Sequence, residues 1–395
     1  MKRLLGPEFL MIPGPTSLPD RVRTAMSSPA MDFSGEAFAA LAERAFRGLK
    51  PIFRTEGEIF LYAANGHGAW EAALANCLQP GETVLVPETG LFARVWRQMA
   101  ADLGLETQAV ETDWRHAVAP ERIEAILRDD TAGRIKAVMV VHTDTAASVC
   151  SDLRGVRAAI DAAGHPALLM VDAIASLCTT DFAMDDWGID VTVAAAQKAL
   201  MVPPGLSIVA AGPKALERCQ AGRHLPGSYW MWQARLGKLL YQRFCGTAPI
   251  QHVAALGEAL AMIEEPGLPA VIEQHRRLAA MVQAAVERWG STGFLEFNAL
   301  VPAERAASVT SVRVPGDFDA ERIRDHARLR YGLTIGGGLG PLKGQIFRIG
   351  HMGFLNEAYV LGALGVLQAT FRDLGLPVGD GALEAAIAAT TASPG

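Results

Sequence analysis

The sequence predicts an α/β protein, with a mainly parallel central sheet covered by helices and a smaller C-terminal α+β domain. Three observations lead there. Strand-length apolar runs alternate with Ala-rich stretches of helical period, the pattern that βαβ units leave in a chain. The runs are rich in Val, Ile and Leu without clean alternation, as expected of strands buried on both faces. A Glu-Pro-Gly-Leu-Pro segment at 265–269 interrupts that rhythm, and such a segment stops a helix and marks a boundary.

In chain order, residues 1–20 read as an N-terminal arm and 21–265 as a large domain. Strands are expected over 58–63, 83–87, 135–141, 167–171 and 190–195. Helices are expected from Ala69, over 92–103 and over 153–163. The small domain, 266–395, reads as a long helix over 271–289, a strand over 307–314, a helix over 320–331, a Gly-rich turn and a strand over 346–349. A short helix from Gly381 is expected to end in a flexible tail.

Composition excludes several classes. With 395 residues, half of them hydrophobic and 20% charged, the chain supports a large core and is neither disordered nor fibrous. Its net charge of -6, without a long run of one sign, argues against nucleic acid as a partner. No apolar run is long enough to span a membrane. The N-terminal apolar stretch is broken by Gly6, Pro7, Glu8 and Pro13, so it makes a poor signal peptide. Five cysteines without a C-x-x-C pair argue against a disulfide framework or a zinc site and fit a reducing compartment. A soluble cytoplasmic protein without a metal is the expectation.

Three segments could carry chemistry. Lys198 follows an apolar strand and precedes the rigid Pro203-Pro204-Gly205. A surface lysine is the ordinary reading, but an amine in an apolar pocket loses pKa and becomes a nucleophile able to form a Schiff base. Asp172 ends the run HPALLMVDA, at the carboxyl edge of the sheet where open α/β folds bind ligands; its plainer reading is a strand-end cap. Such a pair suits pyridoxal phosphate, the lysine holding the aldehyde and the aspartate keeping the pyridine nitrogen protonated. The loop Ala64-Asn65-Gly66-His67-Gly68-Ala69-Trp70-Glu71 lies between a strand and a helix. It reads either as a tight turn or as a backbone cradle for phosphate, and it matches neither a dinucleotide fingerprint nor a Walker loop.

Together, IPGPTSLPDRV, NGHGAWE, VVHTDTAASV, HPALLMVDAIAS, AAQKALMVPPGL and FRIGHMG resemble the class V, fold type I aminotransferases that use pyridoxal 5'-phosphate. The similarity is to the alanine-glyoxylate and serine-glyoxylate group, and it runs over nearly the whole chain. It implies transfer of an amino group from a small L-amino acid (alanine, serine or aspartate) to glyoxylate or pyruvate by a ping-pong route. By resemblance, Lys198 is the Schiff-base lysine and Asp172 the partner of the ring nitrogen. Gly66, His67, Gly68 and Gln197 match phosphate-binding positions, Phe92 the aromatic stacked on the ring, and Thr145 the hydroxyl near the phenolic oxygen. Arg348 matches the arginine that grips the substrate carboxylate. Thr247 looks like the threonine that reaches the neighbouring subunit's phosphate, which implies a homodimer with shared sites.

The chain departs from that pattern at Asn65, where the group commonly has Ser or Thr, at His67, where it commonly has Thr, at Phe244, where a Tyr is frequent, and at Asp32-Phe33-Ser34 in place of Asp-His-Arg. A pyridoxamine-pyruvate aminotransferase and a catalytically silent protein of the same fold are the alternatives. Cysteine desulfurases need a mobile catalytic Cys, and no cysteine here sits in such a loop motif.

Overall fold

Seven strands form the central sheet, in the order Glu58–Tyr62, Ser207–Ala211, Val191–Ala195, Leu168–Asp172, Ile135–Val141, Thr83–Glu88 and Glu106–Glu111. The structure is a computed structural model and describes residues 8–222 and 227–391. Only Ser207–Ala211 runs antiparallel to its neighbours; the other pairings are parallel. Along Leu168–Asp172, Leu169 and Val171 enter one apolar cluster while Leu168 and Met170 enter the other. Burial on both faces is thus the reason these runs lack alternation.

Helices Glu36–Phe53, Pro120–Asp129, Leu153–Ala162 and Ile250–Glu264 supply side chains to the first cluster. Gly66–Cys77, Leu91–Asp102 and Pro213–Ala221 supply the second. No separate strand was expected at Glu106–Glu111 or at Ser207–Ala211. The first is a sheet edge with only Val110 buried, so its polar sequence carries no apolar run.

A second sheet has the order Phe9–Met11, Leu333–Gly337, Ile346–Gly350, Val309–Arg313 and Glu296–Phe297. Helices Leu268–Trp289, Glu321–Tyr331, Glu357–Asp373 and Ala382–Thr391 share its apolar core. The segment expected as a Gly-rich turn begins with a strand that was not foreseen, Leu333–Gly337, and turns only after it, through Gly340–Leu342. Glycine is required in the strand by close approach: a Cβ on Gly336 would lie 2.9 Å from Pro13 Cδ and 3.1 Å from Arg348 Cβ. The tail expected after the last helix, at 392–395, lies outside the described residues.

The first described strand belongs to this second sheet, paired in parallel with Leu333–Ile335. From there residues 12–16 form a strap that crosses to the Lys198 loop, where the Thr16 amide and hydroxyl donate to the carbonyls of Gln197 (3.1 Å) and Lys198 (2.9 Å). The chain then enters helix Asp20–Met26, which packs on Ile250–Glu264. Among the described residues, no helix is long and apolar enough to cross a membrane.

Candidate active site

The carboxyl ends of the central strands open into a cavity of about 170 Å³, lined among others by Gly66, His67, Phe92, Thr145, Asp172, Gln197 and Lys198. Lys198 sits just past Val191–Ala195, in a loop closed by bonds from Met201 N to the Lys198 carbonyl and from Val202 N to the Ala196 carbonyl. Its Nζ donates to the Pro13 carbonyl. Burial pulls the amine down to about 8, Arg348 acts in the same direction and Asp172 opposes both, so the amine sheds its proton more readily than an ordinary lysine does.

Asp172 ends its strand and is buried. Its carboxylate accepts from Trp70 Nε1 (2.9 Å) and from the Ile174 amide (2.7 Å). Burial pushes its pKa up to about 7 against the pull of those two donors.

Helix Gly66–Cys77 begins three residues earlier than expected because Asn65 caps it. Asn65 Oδ1 accepts from the amides of His67 (3.1 Å) and Gly68 (3.4 Å), the regular role of Asn at a helix start. Space forces glycine at 68, and at 66 a side chain would have to displace the end of Ile174. A Cβ on Gly66 would stand 2.5 Å from Ile174 Cδ1, and one on Gly68 would stand 2.7 Å from Ala64 Cβ. The His67 ring lies 4.5 Å from that of Trp70, and burial lowers its pKa.

Arg348 is buried in the strand Ile346–Gly350 and does not line the cavity. It is tied to it through Thr145, whose carbonyl accepts from Nη1 at 2.9 Å, while Nε donates to the Gly337 carbonyl at 2.6 Å. Nη2 has no acceptor among the described residues. Thr247 is exposed and stands outside the cavity. Phe244 faces the core, with its ring 5.9 Å from Phe38 and 5.8 Å from Phe46. Trp70, Asn65 and Pro13 are site residues to which sequence reasoning gave no role. Trp70 had a signal, since it falls one helical turn after Gly66.

Residues 12–329 match the family described as "Aminotransferase class-V". The chain belongs to the class-V aminotransferases. It is similar to a serine-glyoxylate aminotransferase of Methylorubrum extorquens, 40% identical over 381 residues, covering 95% of this chain and 94% of the relative. An L-aspartate-glyoxylate aminotransferase of Paracoccus denitrificans is 38% identical over 370 residues, 93% of this chain and 92% of its own. The crystal structure of a ureidoglycine-glyoxylate aminotransferase from Bacillus subtilis superposes with a TM-score of 0.89 at 26% identity, covering 98% and 99% of the two chains. The fold is fold type I, and the enzyme depends on pyridoxal phosphate.

The residues of this class-V chain fit that cofactor. Gln197 Oε1 is buried without a hydrogen-bond partner at the cavity wall, and a buried orphan of this kind asks for a ligand. The glycine-lined helix start, an amine that burial makes easier to deprotonate and a carboxyl group at the strand end complete the set. Among the described residues no group of three or more His, Cys, Asp or Glu side chains is placed to hold a metal ion.

Proposed function

We propose that this enzyme moves the amino group of a small L-amino acid (alanine, serine or aspartate) to glyoxylate or pyruvate. The observation that carries the reading is the sharing of one cavity by the Lys198 amine and the Asp172 carboxyl, with the Arg348 guanidinium one peptide behind Thr145. The names of the serine-glyoxylate and aspartate-glyoxylate relatives support it.

The chemistry that pyridoxal phosphate supplies when bound is an aldehyde that takes an amino group and a ring that accepts electrons. Lys198 holds the aldehyde, Gly66, His67, Gly68 and Gln197 the phosphate, Phe92 the ring face, and Thr145 the phenolic oxygen. Asp172 keeps a proton on the ring nitrogen. When its amine is free, Lys198 takes the α-proton of the donor and later returns a proton to the α-carbon of the new amino acid. Arg348 binds the carboxylate of the donor and then that of the acceptor, through Nη2 and the second hydrogen of Nη1. Because both carboxylates use one arginine in turn, the kinetics are ping-pong.

The same reading makes the enzyme a homodimer in which Thr247 serves the neighbouring subunit's phosphate site. Leu236, Leu239 and Tyr241, exposed a few residues before Thr247, support an interface there. A cytoplasmic location is supported by five cysteines that are all free.

A matrix of donors and acceptors, read first as the change in cofactor absorbance on adding each amino acid, tests the function. A spectrum that no amino acid alters would overturn it. One observation favours transamination of free pyridoxamine by pyruvate as a second reading: Asn65 already occupies two amides of the helix start. Turnover of pyridoxamine and pyruvate faster than any amino-acid pair would establish that reading instead.

A further inference from the structure

Asp144 is a fully buried carboxylate that neither binds nor lines the cavity, and the reaction described above has no role for it. Its Oδ2 accepts from the amides of Phe92 (2.8 Å) and Ala93 (3.1 Å), the first turn of helix Leu91–Asp102. Its Oδ1 accepts from the Ala146 amide at 3.0 Å, and its carbonyl accepts from the Ser148 amide at 2.7 Å. One side chain therefore pins two separate pieces of backbone. The first carries the Phe92 ring. The second is the turn between the short strands Thr143–Asp144 and Val149–Cys150, whose Thr145 carbonyl holds Arg348.

The helix is built to receive this carboxylate. Its own N-cap residue is Gly90, which supplies no capping side chain. The Gly90 backbone is extended, at φ -179°, so no conformational strain calls for glycine. Space does: a Cβ there would lie 2.3 Å from Asp144 Cγ. The cap is delegated to a residue 52 positions downstream. Burial pushes the Asp144 carboxyl up to about 6, while the Ala93, Ala146 and Phe92 amides, and after them the Arg348 guanidinium, pull the other way; a helix start also favours an anion.

We propose that Asp144 is a positioning residue that fixes the wall formed by Phe92 relative to the carboxylate-binding Arg348, and so the orientation of the donor's α-carbon to the cofactor ring. The proposal rests on the roles given above to Phe92 and Arg348. An amide at this position keeps one acceptor oxygen and turns the other into a donor facing backbone N–H groups, so the joint opens while the volume is kept.

The test uses the holoenzyme of Asp144→Asn and, separately, Gly90→Ala, which keeps the carboxylate but drives it off its seat. Both variants should lower kcat/KM about tenfold to a hundredfold, raising KM for donor and acceptor together. Both should also change the visible circular dichroism of bound cofactor, which reports ring orientation, while the thermal midpoint of the apo-protein stays within a few degrees. Because they break the same joint, the double variant should be no worse than the poorer single. Wild-type dichroism and KM in Asp144→Asn, or effects of the two substitutions that simply add, would overturn the assignment. Should Asp144→Asn fail to fold, Gly90→Ala with wild-type dichroism overturns it alone. Arg348→Lys separates the two levels: unchanged KM values in that variant remove the carboxylate reading, whereas the dichroism of Asp144→Asn and Gly90→Ala decides the Asp144 joint.

Discussion

Lys198 departs far from the ordinary behaviour of its residue type. With its amine pulled down to about 8 by burial, about a tenth of the molecules carry a neutral amine at pH 7, against about one in three thousand for an ordinary lysine. The sign follows directly, because only the neutral amine attacks an aldehyde. The rate at which apo-protein captures the cofactor should rise with pH and level off above about 8, measured by stopped-flow absorbance. A rise that continued toward 10 would mean that the amine is unperturbed. At Asp172 the expectation concerns charge more than packing. Asp172→Asn should lower turnover by several orders of magnitude while the thermal midpoint moves by only a few degrees, and near-normal turnover would reduce Asp172 to a strand-end cap. Both residues were legible in the sequence because each stands at the end of an apolar run. Asp144 and Pro13 were not, since a bond to a distant backbone group leaves no mark on composition or spacing.

At the scale of elements, the buried parallel strands announced themselves through Val, Ile and Leu, and the structure keeps them where those runs lie. Among what escaped are elements whose residues answer to a neighbour. Leu333–Gly337 read as a turn because Gly336 and Gly337 report on the approach of Pro13 and Arg324 and carry no strand propensity of their own. The start of helix Gly66–Cys77 was missed because Asn65 stood out only as a departure from a family pattern, although Asn is among the best N-caps. That cap makes a prediction. Asn65→Ala should destabilise the apo-protein by about 1 kcal/mol in a denaturant melt. With cofactor bound the loss should be smaller, because a phosphate takes over the freed amides. An equal loss in both states would place the phosphate elsewhere.

For the whole molecule, the sharing of sites between subunits is the question that Thr247 raises. It is exposed and outside the cavity of its own chain, so its family role depends on a second copy. Thr247→Ala should therefore weaken cofactor binding about tenfold or more, the loss of a charge-assisted hydrogen bond. Mixing that variant with Lys198→Ala should restore tight binding and turnover at one site of each hybrid dimer, where an intact lysine meets an intact threonine from the other chain. Hybrids no more active than their parents would end the shared-site reading.

The pairing of Phe9–Met11 with Leu333–Ile335 also orders events in time. During synthesis the first of these strands leaves the ribosome long before Leu333–Ile335 exists, so it must wait for that pairing while the central sheet assembles. Until then the strap beyond it is held to the Lys198 loop at its far end, by the Thr16 bonds to the Gln197 and Lys198 carbonyls. Completion of the second sheet is thus the step that fixes both ends of the strap, and a nascent chain halted before residue 333 would carry every residue of the cavity while the strap that bears the Pro13 carbonyl is tied at its Thr16 end.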